Sequence, residues 1–163
     1  WQVCRANYMS KSAGNLPFIC VQNPYNLISR DLEREMVPFC HTEGVGIMAY
    51  SPLALGLLSG RYGPDMPLSD DSYWHSRKGK LKERLIPSVR TVLETLSRIG
   101  DTYDKTPAQT AIAWLLSHQE VSTVIVGPDT VGELEENLGG TGWQLSTEHK
   151  NELDAVSHWA VSQ

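Results

Sequence analysis

Short β-prone runs alternate with longer helical segments in this sequence, and this alternation limits the possible folds more than any other feature. The first two runs, residues 18–22 and 45–50, begin 27 residues apart with a helical pattern between them. Such spacing is typical of βαβ units, in which successive strands lie parallel in one sheet. A third run covers residues 122–126. Because the runs are short and apolar, the sequence predicts an α/β protein whose strands are covered on both faces.

Local start and stop signals predict where the helices begin and end. Thr106 and Gln109 have the spacing of a capping box, and Thr130 with Glu133 repeats that spacing. The expected helices, the second of them capped by Ser29, cover residues 1–14, 29–44, 87–103, 106–116, 130–138 and 146–157. Pro38 lies inside the second helical pattern, so we expect a kink or an early break there.

Composition and charge exclude several classes of protein. The chain has 163 residues, enough for one domain with a sizeable core, and no apolar run is long enough to span a membrane. A net charge of −5 argues against a nucleic-acid partner. The three cysteines form no C-x-x-C pair, which favours a reducing, cytoplasmic setting. Because Trp1 begins the chain in what looks like the middle of a helix, we expect a piece of a longer protein.

Residues 62–87 interrupt the regular alternation. A loop is expected at residues 63–67, and Asp71, Tyr73 and Trp74 then lead into a basic run. Two interpretations stay open: a solvated excursion between elements, or a flap that folds over a phosphate-bearing ligand. Tyr73 and Trp74 are possible contributors to a substrate pocket.

Two strand-end loops are the best candidates for a ligand site. The second strand run ends in the aromatic Tyr50 and breaks at Ser51 and Pro52 into a glycine-containing loop, and the third run ends at Gly127 just before a helix. Ligands of parallel α/β proteins bind at the carboxyl ends of strands, and a helix N-terminus attracts anions. The five histidines show no paired metal spacing, and no G-x-G-x-x-G or Walker motif is present. These patterns predict an anionic ligand and no metal.

Four ordered motifs resemble those of the aldo-keto reductases, most closely the bacterial and potassium-channel-beta-like branches. The motifs are QNPYNL at residues 22–27, YSPL at 50–53 with Gly56, TPAQ at 106–109 with AW at 113–114, and VG at 126–127 with EL at 133–134 and ENL at 136–138. They cover essentially the whole chain in order.

The resemblance implies a TIM-type (β/α)8 barrel of which this chain, residues 1–163, supplies one partial domain. It implies strands six to eight with their helices, whereas the family's catalytic Asp, Tyr, Lys and His belong to the N-terminal half of the barrel. The implied activity is NAD(P)H-dependent reduction of aldehydes and ketones to alcohols, with this chain inactive alone and no catalytic residue in it. The alternative is a non-catalytic nucleotide-binding regulatory or interaction module of the channel-beta type. The implied partners are a small-molecule carbonyl substrate and the N-terminal half of the barrel, with a homo-oligomer as a further possibility.

The resemblance also assigns residues to the nicotinamide and pyrophosphate ends of the cofactor. Gln22 is expected to hydrogen-bond the nicotinamide carboxamide, and Tyr50 is expected to stack on the nicotinamide ring. Arg61 is expected to lie near a phosphate. The pyrophosphate and ribose are expected to be lined by Ser51, Pro52, Leu53 and Gly56.

The adenosine end is assigned to the loop and helix after the third strand. The implied residues are Gly127, Asp129, Glu133, Glu136 and Asn137, with Glu136 and Asn137 on the adenine. Asp129 departs from the family pattern, which usually has a hydroxyl or basic residue at this position. Because a carboxylate repels the 2′-phosphate of NADPH and can accept a ribose hydroxyl, the expected cofactor is NADP with NAD as a possibility. Arg77, Lys78 or Lys80 could supply the positive charge instead.

Overall fold

A computed structural model describes residues 1–62, 68, 70 and 72–158 of the chain. The loop expected at residues 63–67 and the residue Asp71 lie outside the described residues. Within the described part, three parallel strands form a sheet in the order β1 (Cys20–Pro24), β2 (Gly46–Tyr50) and β3 (Val121–Ile125). The predicted parallel β/α arrangement is therefore confirmed for these three strands.

Helices connect and flank the strands. The α-helices of the described residues are α1 (Gln2–Ser12), α2 (Met36–Glu43), α3 (Lys78–Arg84), α4 (Pro87–Thr102), α5 (Pro107–Leu116), α6 (Val131–Leu138) and α7 (Thr147–Val156). Short 3₁₀ turns cover Asp31–Arg34, Leu57–Ser59 and His75–Arg77. The capping box of Thr106 and Gln109 is present, and Ser146 caps the last helix as predicted.

The sheet buries one face and leaves the other open. Ile47 and Ala49 of β2 point to the face that the helices cover, and both are fully buried. The register places Gln22 opposite Met48, and Tyr50 between Pro24 and Ile125, on the opposite face. The side chains of Gln22 and Tyr50 are exposed there. The expectation of cover on both faces is therefore wrong for the described chain, because its helices pack on one side of the sheet only.

The first strand begins two residues later than the sequence predicts. Asn7 of α1 accepts a hydrogen bond from the backbone N–H of Phe18 (2.8 Å) and donates one to its carbonyl (3.2 Å). Both backbone groups of Phe18 are thus occupied by a side chain and cannot join the ladder. The first ladder bond comes from Gly46 to the Ile19 carbonyl (2.9 Å).

The second predicted helix is divided, but the break precedes Pro38. A 3₁₀ turn covers Asp31–Arg34, and Glu35 has an extended φ of −136° before α2 begins at Met36. Pro38 is the third residue of α2, where a backbone N–H has no helical acceptor, so the proline causes no kink. The expectation that Ser29 is an N-cap is wrong: its N–H bonds the Asn26 carbonyl in a turn (3.0 Å).

Most of the basic run after residue 76 lies in the helix α3 (Lys78–Arg84). Within α3 the side chain of Leu81 is buried in the core, and Trp74 just before it is buried as well. Arg77 donates to the Tyr73 carbonyl (2.9 Å), and its guanidinium lies 4.3 Å from the Tyr73 ring centroid. The excursion is therefore anchored to the core, and the flap interpretation stays a prediction.

Gly100 of α4 lies where the helix meets the segment before α5. A Cβ atom there would lie 2.5 Å from the Lys105 carbonyl oxygen and 2.9 Å from the Thr110 hydroxyl. We expect Gly100→Ala to lower the free energy of unfolding by about 1–2 kcal/mol, because the overpacking exceeds the gain in helix propensity. Urea unfolding measures this. Gly79→Ala in α3 is the control, since a Cβ there meets nothing within 4 Å. Equal stabilities of the two variants would contradict the argument.

An aromatic cluster joins β1 to α5. The Tyr25 ring packs edge-on against Trp114 (5.4 Å between centroids) and His118 (5.4 Å). The Nδ1–H of His118 donates to the Trp114 carbonyl (3.0 Å). Burial, and secondarily the charge of Lys150, lowers the pKa of His118 below its ordinary value. The fold therefore favours the neutral imidazole.

This shift makes stability depend on pH. Between the folded and the ordinary pKa of His118, the unfolded chain binds the proton more readily than the folded chain does. Stability is thus expected to fall as the pH drops below about 6.5, with a slope of at most about 1.4 kcal/mol per pH unit from this residue. Urea unfolding between pH 7.5 and 5.5 tests this. His118→Gln should flatten the curve, and an unchanged slope in that variant would refute the assignment.

Candidate functional site

The carboxyl ends of β1 and β2 bring two predicted residues to the same face of the sheet. Tyr50 is the last residue of β2, with its side chain 37% exposed on the open face. Gln22 lies on the neighbouring strand β1, two residues before Pro24, which is the partner of Tyr50 in the register. Its side chain is exposed on the same face. An exposed aromatic ring beside an amide can stack on a planar ring and bond its polar substituent.

The segment after Tyr50, here called the β2 loop (residues 51–60), has an unusual backbone. Three of the four non-glycine residues with left-handed φ among the described residues lie in it: Ser51 (53°), Ala54 (50°) and Leu55 (59°). Gly56 continues the run with a φ of 83°. Each such non-glycine residue costs of order 1–3 kcal/mol, so surrounding contacts must hold the loop, and such strain is concentrated at functional sites.

Burial and close packing secure the middle of the β2 loop. Pro52 is buried, Leu53 is half-buried, and Leu57 and Leu58 are fully buried. A Cβ at Gly56 would lie 3.0 Å from a ring carbon of Tyr62, and the φ of 83° disfavours any residue other than glycine there.

The loop after β3 leads into the N-terminus of α6. Thr130 caps the helix by accepting from the Glu133 N–H (3.2 Å). The Glu133 carboxylate does not return to the Thr130 N–H, as a capping box requires, and accepts instead from the Asp129 N–H (2.8 Å). The predicted capping box is therefore only half formed. Gly127 and the side chain of Asp129 are exposed beside it.

Arg61, the residue after the β2 loop, links this loop to the helix α6. Its guanidinium forms ion pairs with the carboxylates of Glu133 and, at 2.9 Å, Glu136. The Asp129 N–H, followed by the Arg61 guanidinium, holds the pKa of Glu133 below its ordinary value. Arg61, which is predicted to lie near a phosphate, is thus in contact with Glu133 and Glu136, which are predicted for the adenosine end. In this arrangement two carboxylates of α6 are paired with the Arg61 guanidinium.

Asn137 is the most enclosed of the predicted site residues after the third strand. Its side chain is 7% exposed, and within the described part of the chain its amide makes no hydrogen bond. Gln109 of α5 fixes the neighbouring backbone by donating to the Glu136 carbonyl (3.1 Å). Asn137 therefore has unused capacity to donate and accept hydrogen bonds.

Two residues outside the predicted cofactor-binding set also reach this site. Asn26 donates to the Ser51 carbonyl (2.9 Å), and the Trp74 indole N–H donates to the Leu55 carbonyl (2.9 Å). Trp74 is buried in this way, so its expected contribution to a substrate pocket is wrong. Asn26 stands in the QNPYNL motif, but the sequence contains no signal that its side chain reaches Ser51.

Two features are absent from the described residues. Over residues 1–62, 68, 70 and 72–158, no group of three or more His, Cys, Asp or Glu side chains could hold a metal ion. No helix in the same part of the chain combines the length and the apolar character needed to cross a bilayer.

Comparison with known proteins identifies relatives over nearly the whole chain. The profile of the aldo/keto reductase family matches residues 1–158. An aldo-keto reductase of Fusarium vanettenii is 30% identical over 156 residues, 96% of this chain and 41% of that protein. The aldo-keto reductase dtxS3 of Metarhizium robertsii is 30% identical over 159 residues, again 96% of this chain and 41% of that protein.

A solved structure shows the same fold. The glycerol dehydrogenase AKR11B4 from Gluconobacter oxydans superposes with a TM-score of 0.75 at 21% identity, over 95% of this chain and 47% of that one. The fold thus defines consecutive units of a parallel β/α barrel. The match over residues 1–158 shows that the chain belongs to the aldo/keto reductase family. It spans about two fifths of the length of the curated relatives that it matches, 41% in both cases.

Proposed function

We propose that this chain is the cofactor-binding half of an NAD(P)H-dependent reductase that converts aldehydes or ketones to alcohols. The observation that carries the proposal is the placement of Tyr50 and Gln22 on the open face of the sheet, next to the strained β2 loop. The proposal also assigns β1, β2 and β3 to strands six, seven and eight of a (β/α)8 barrel. Membership of the family supports both assignments.

The described residues fit a nicotinamide dinucleotide. The exposed Tyr50 ring offers a stacking surface for the nicotinamide, and the Gln22 amide can bond its carboxamide. The partnerless amide of Asn137 can bond the edge of an adenine. When bound, the nicotinamide supplies the hydride. The residues of this chain orient the ring and hold the two ends of the molecule.

The pyrophosphate is proposed to lie along the β2 loop. Ser51, Pro52, Leu53 and Gly56 present backbone groups and a hydroxyl on the path from Tyr50 toward α6. Arg61 is paired with the carboxylates of Glu133 and Glu136. In the proposal it exchanges one of these partners for a phosphate and neutralises part of the phosphate charge. Gly127, Asp129 and the N-terminus of α6 then line the adenosine ribose.

The remaining catalytic groups are proposed to come from an N-terminal half of the barrel. Both outer strands of the described sheet, β1 and β3, have one edge unpaired, and Leu16, Phe18 and Ile19 expose apolar side chains beside β1. Unpaired edges and exposed apolar surface favour association with further strands. The chain alone is therefore proposed to bind cofactor without turnover. Its free cysteines support a reducing, cytoplasmic setting.

Titration with NADPH and NADH tests the binding proposal and the role of Asp129. Because the exposed Asp129 carboxylate repels a 2′-phosphate, the chain is expected to bind NADH as tightly as NADPH or more tightly. Asp129→Ser should shift the preference toward NADPH by roughly tenfold. Nicotinamide fluorescence measures both affinities. A strong NADPH preference in the unchanged chain would exclude this role for Asp129, and the absence of binding to either would refute the proposed function.

A non-catalytic nucleotide-binding regulatory module is the second candidate. What favours it is the family resemblance, which assigns the predicted site residues of this chain to cofactor binding and none of them to proton transfer. Assay of carbonyl reduction by the chain together with an N-terminal half that contains Asp, Tyr, Lys and His separates the two. Turnover supports the reductase, whereas nucleotide binding without turnover supports the regulatory module.

A further inference from the structure

We infer that Asn26 and Trp74 are positioning residues that hold the β2 loop in its left-handed conformation, Asn26 at the end next to Tyr50 and Trp74 at the end next to Gly56. The consequence for ligand binding rests on the proposed function. The consequence for the loop does not, because it concerns the backbone of the chain without ligand. Neither residue was among the predicted cofactor-binding residues.

Both side chains bond the carbonyl of a residue with left-handed φ. Asn26 donates to the Ser51 carbonyl (2.9 Å), and the Trp74 indole donates to the Leu55 carbonyl (2.9 Å). Asn26 is 3% exposed and Trp74 is 2% exposed, so both donor side chains are held by the packing of the core. Since a non-glycine residue rarely adopts left-handed φ without support, two buried donors on two such carbonyls indicate a positioning role.

The orientation of Asn26 is determined by its two partners. Its Oδ1 accepts from the backbone N–H of Ile28 (3.0 Å), which can only donate, so its Nδ2 faces the Ser51 carbonyl. The Tyr25 N–H adds a bond to the Tyr50 carbonyl (3.3 Å). The turn after β1 therefore bonds the carbonyls of Tyr50, the last residue of β2, and Ser51, the residue that follows it. This contact sets where the Tyr50 ring stands relative to Gln22 on the neighbouring strand.

Asn26→Asp tests the donor alone. Aspartate keeps the shape and the Oδ acceptor for Ile28 but cannot donate to the Ser51 carbonyl at neutral pH. The matched control is Asn7→Asp, because Asn7 is also buried and also bonds both a backbone N–H and a backbone carbonyl, those of Phe18. Trp74→Phe likewise removes the indole donor and keeps an aromatic ring in the core.

The first readout is amide hydrogen exchange of the full chain without ligand. The Ala54 N–H bonds the same Ser51 carbonyl that Asn26 holds (3.0 Å), and the Ser59 N–H bonds the Gly56 carbonyl (3.0 Å). We expect Asn26→Asp to speed exchange at Ala54 roughly tenfold and Trp74→Phe to do the same at Ser59. Asn7→Asp should change neither. Unchanged exchange at Ala54 in Asn26→Asp, or an equal increase in Asn7→Asp, would overturn the inference.

The second readout compares the affinities for the two halves of the dinucleotide, nicotinamide mononucleotide and adenosine monophosphate. Asn26→Asp is expected to weaken binding of nicotinamide mononucleotide by roughly tenfold and to leave binding of adenosine monophosphate unchanged, because only the Tyr50 end of the loop is released. Equal loss of both would indicate a general structural role and overturn the inference. If the unchanged chain binds no nucleotide while exchange at Ala54 responds as expected, the proposed function fails and the positioning role in the loop stands.

Discussion

Replacement of Arg30 by alanine is expected to lower the free energy of unfolding by roughly 3–5 kcal/mol. Arg30 is 6% exposed and pairs with both carboxylate oxygens of Glu33, at 2.7 and 2.9 Å. It also donates to the Asp154 carbonyl (2.9 Å) and the Ser157 hydroxyl (2.8 Å) at the end of α7. Its guanidinium lies 5.1 Å from the centroid of the Trp114 ring. Removing the Arg30 guanidinium leaves these acceptors without a donor. It also removes the hydrogen bonds that connect α7 to the segment after β1.

Neighbouring groups strengthen this expectation. The Tyr25 hydroxyl donates to Glu33 (2.7 Å), and the Trp114 indole donates to the Asp154 carboxylate (2.9 Å). Hydrogen bonds from Lys150 and Trp114 outweigh burial and hold the pKa of Asp154 below its ordinary value. The Asp154 carboxylate beside Arg30 therefore stays charged at neutral pH, and loss of the guanidinium leaves it partly uncompensated.

Urea unfolding at pH 7 measures the effect, and Arg98→Ala is the matched control. Arg98 also forms an ion pair with α7, through Glu152, but both side chains are exposed. An exposed pair contributes roughly 0–1 kcal/mol, so the control should lose little stability. If Arg30→Ala loses no more stability than Arg98→Ala, burial does not determine the strength of this network.

Replacement of Tyr50 by alanine is expected to weaken dinucleotide binding by roughly 10–100-fold, given about 1–3 kcal/mol for stacking of a planar ring on an aromatic side chain. The Tyr50 side chain is 37% exposed on the open face and is not one of the buried core residues, so the variant should fold normally. Tyr50→Phe should retain most of the affinity, because the ring rather than the hydroxyl provides the stacking surface.

Fluorescence titration with NADH provides the measurement for Tyr50. Tyr8→Ala on α1 is the control, since that side chain is also exposed but belongs to the helix that precedes β1. Tyr8→Ala should bind as the unchanged chain does. An affinity of Tyr50→Ala within about twofold of the unchanged chain would mean that the nicotinamide does not stack on this residue.

Much of the fold could be predicted from the sequence because its signals are local. The capping box of Thr106 and Gln109 spans a single helical turn, and Gly44 ends α2 in the left-handed conformation that glycine adopts readily. Apolar runs of strand length likewise predicted three strands, each to within two residues of its observed start. Such features depend on neighbours along the chain and need no knowledge of the packing.

Two of the errors occurred where a side chain has a partner in another element. Asn7 occupies the backbone of Phe18 and delays β1, and Glu133 bonds Asp129 and Arg61 instead of completing its capping box. Neither partner is evident from local propensity. The candidate site shows the same division: the motifs named Tyr50 and Arg61 as site residues, but not the partners that hold them.

The sequence by itself thus determined the order of the β/α units, most of the helix starts and the position of Tyr50 at the end of a strand. These follow from periodicity and capping, which act over a few residues. Only the tertiary structure decided which face of the sheet is open, that Arg61 pairs with Glu133 and Glu136, and that Asn26 and Trp74 hold the β2 loop. The physical reason is that each of these contacts joins separate elements, so its geometry exists only after the elements have packed.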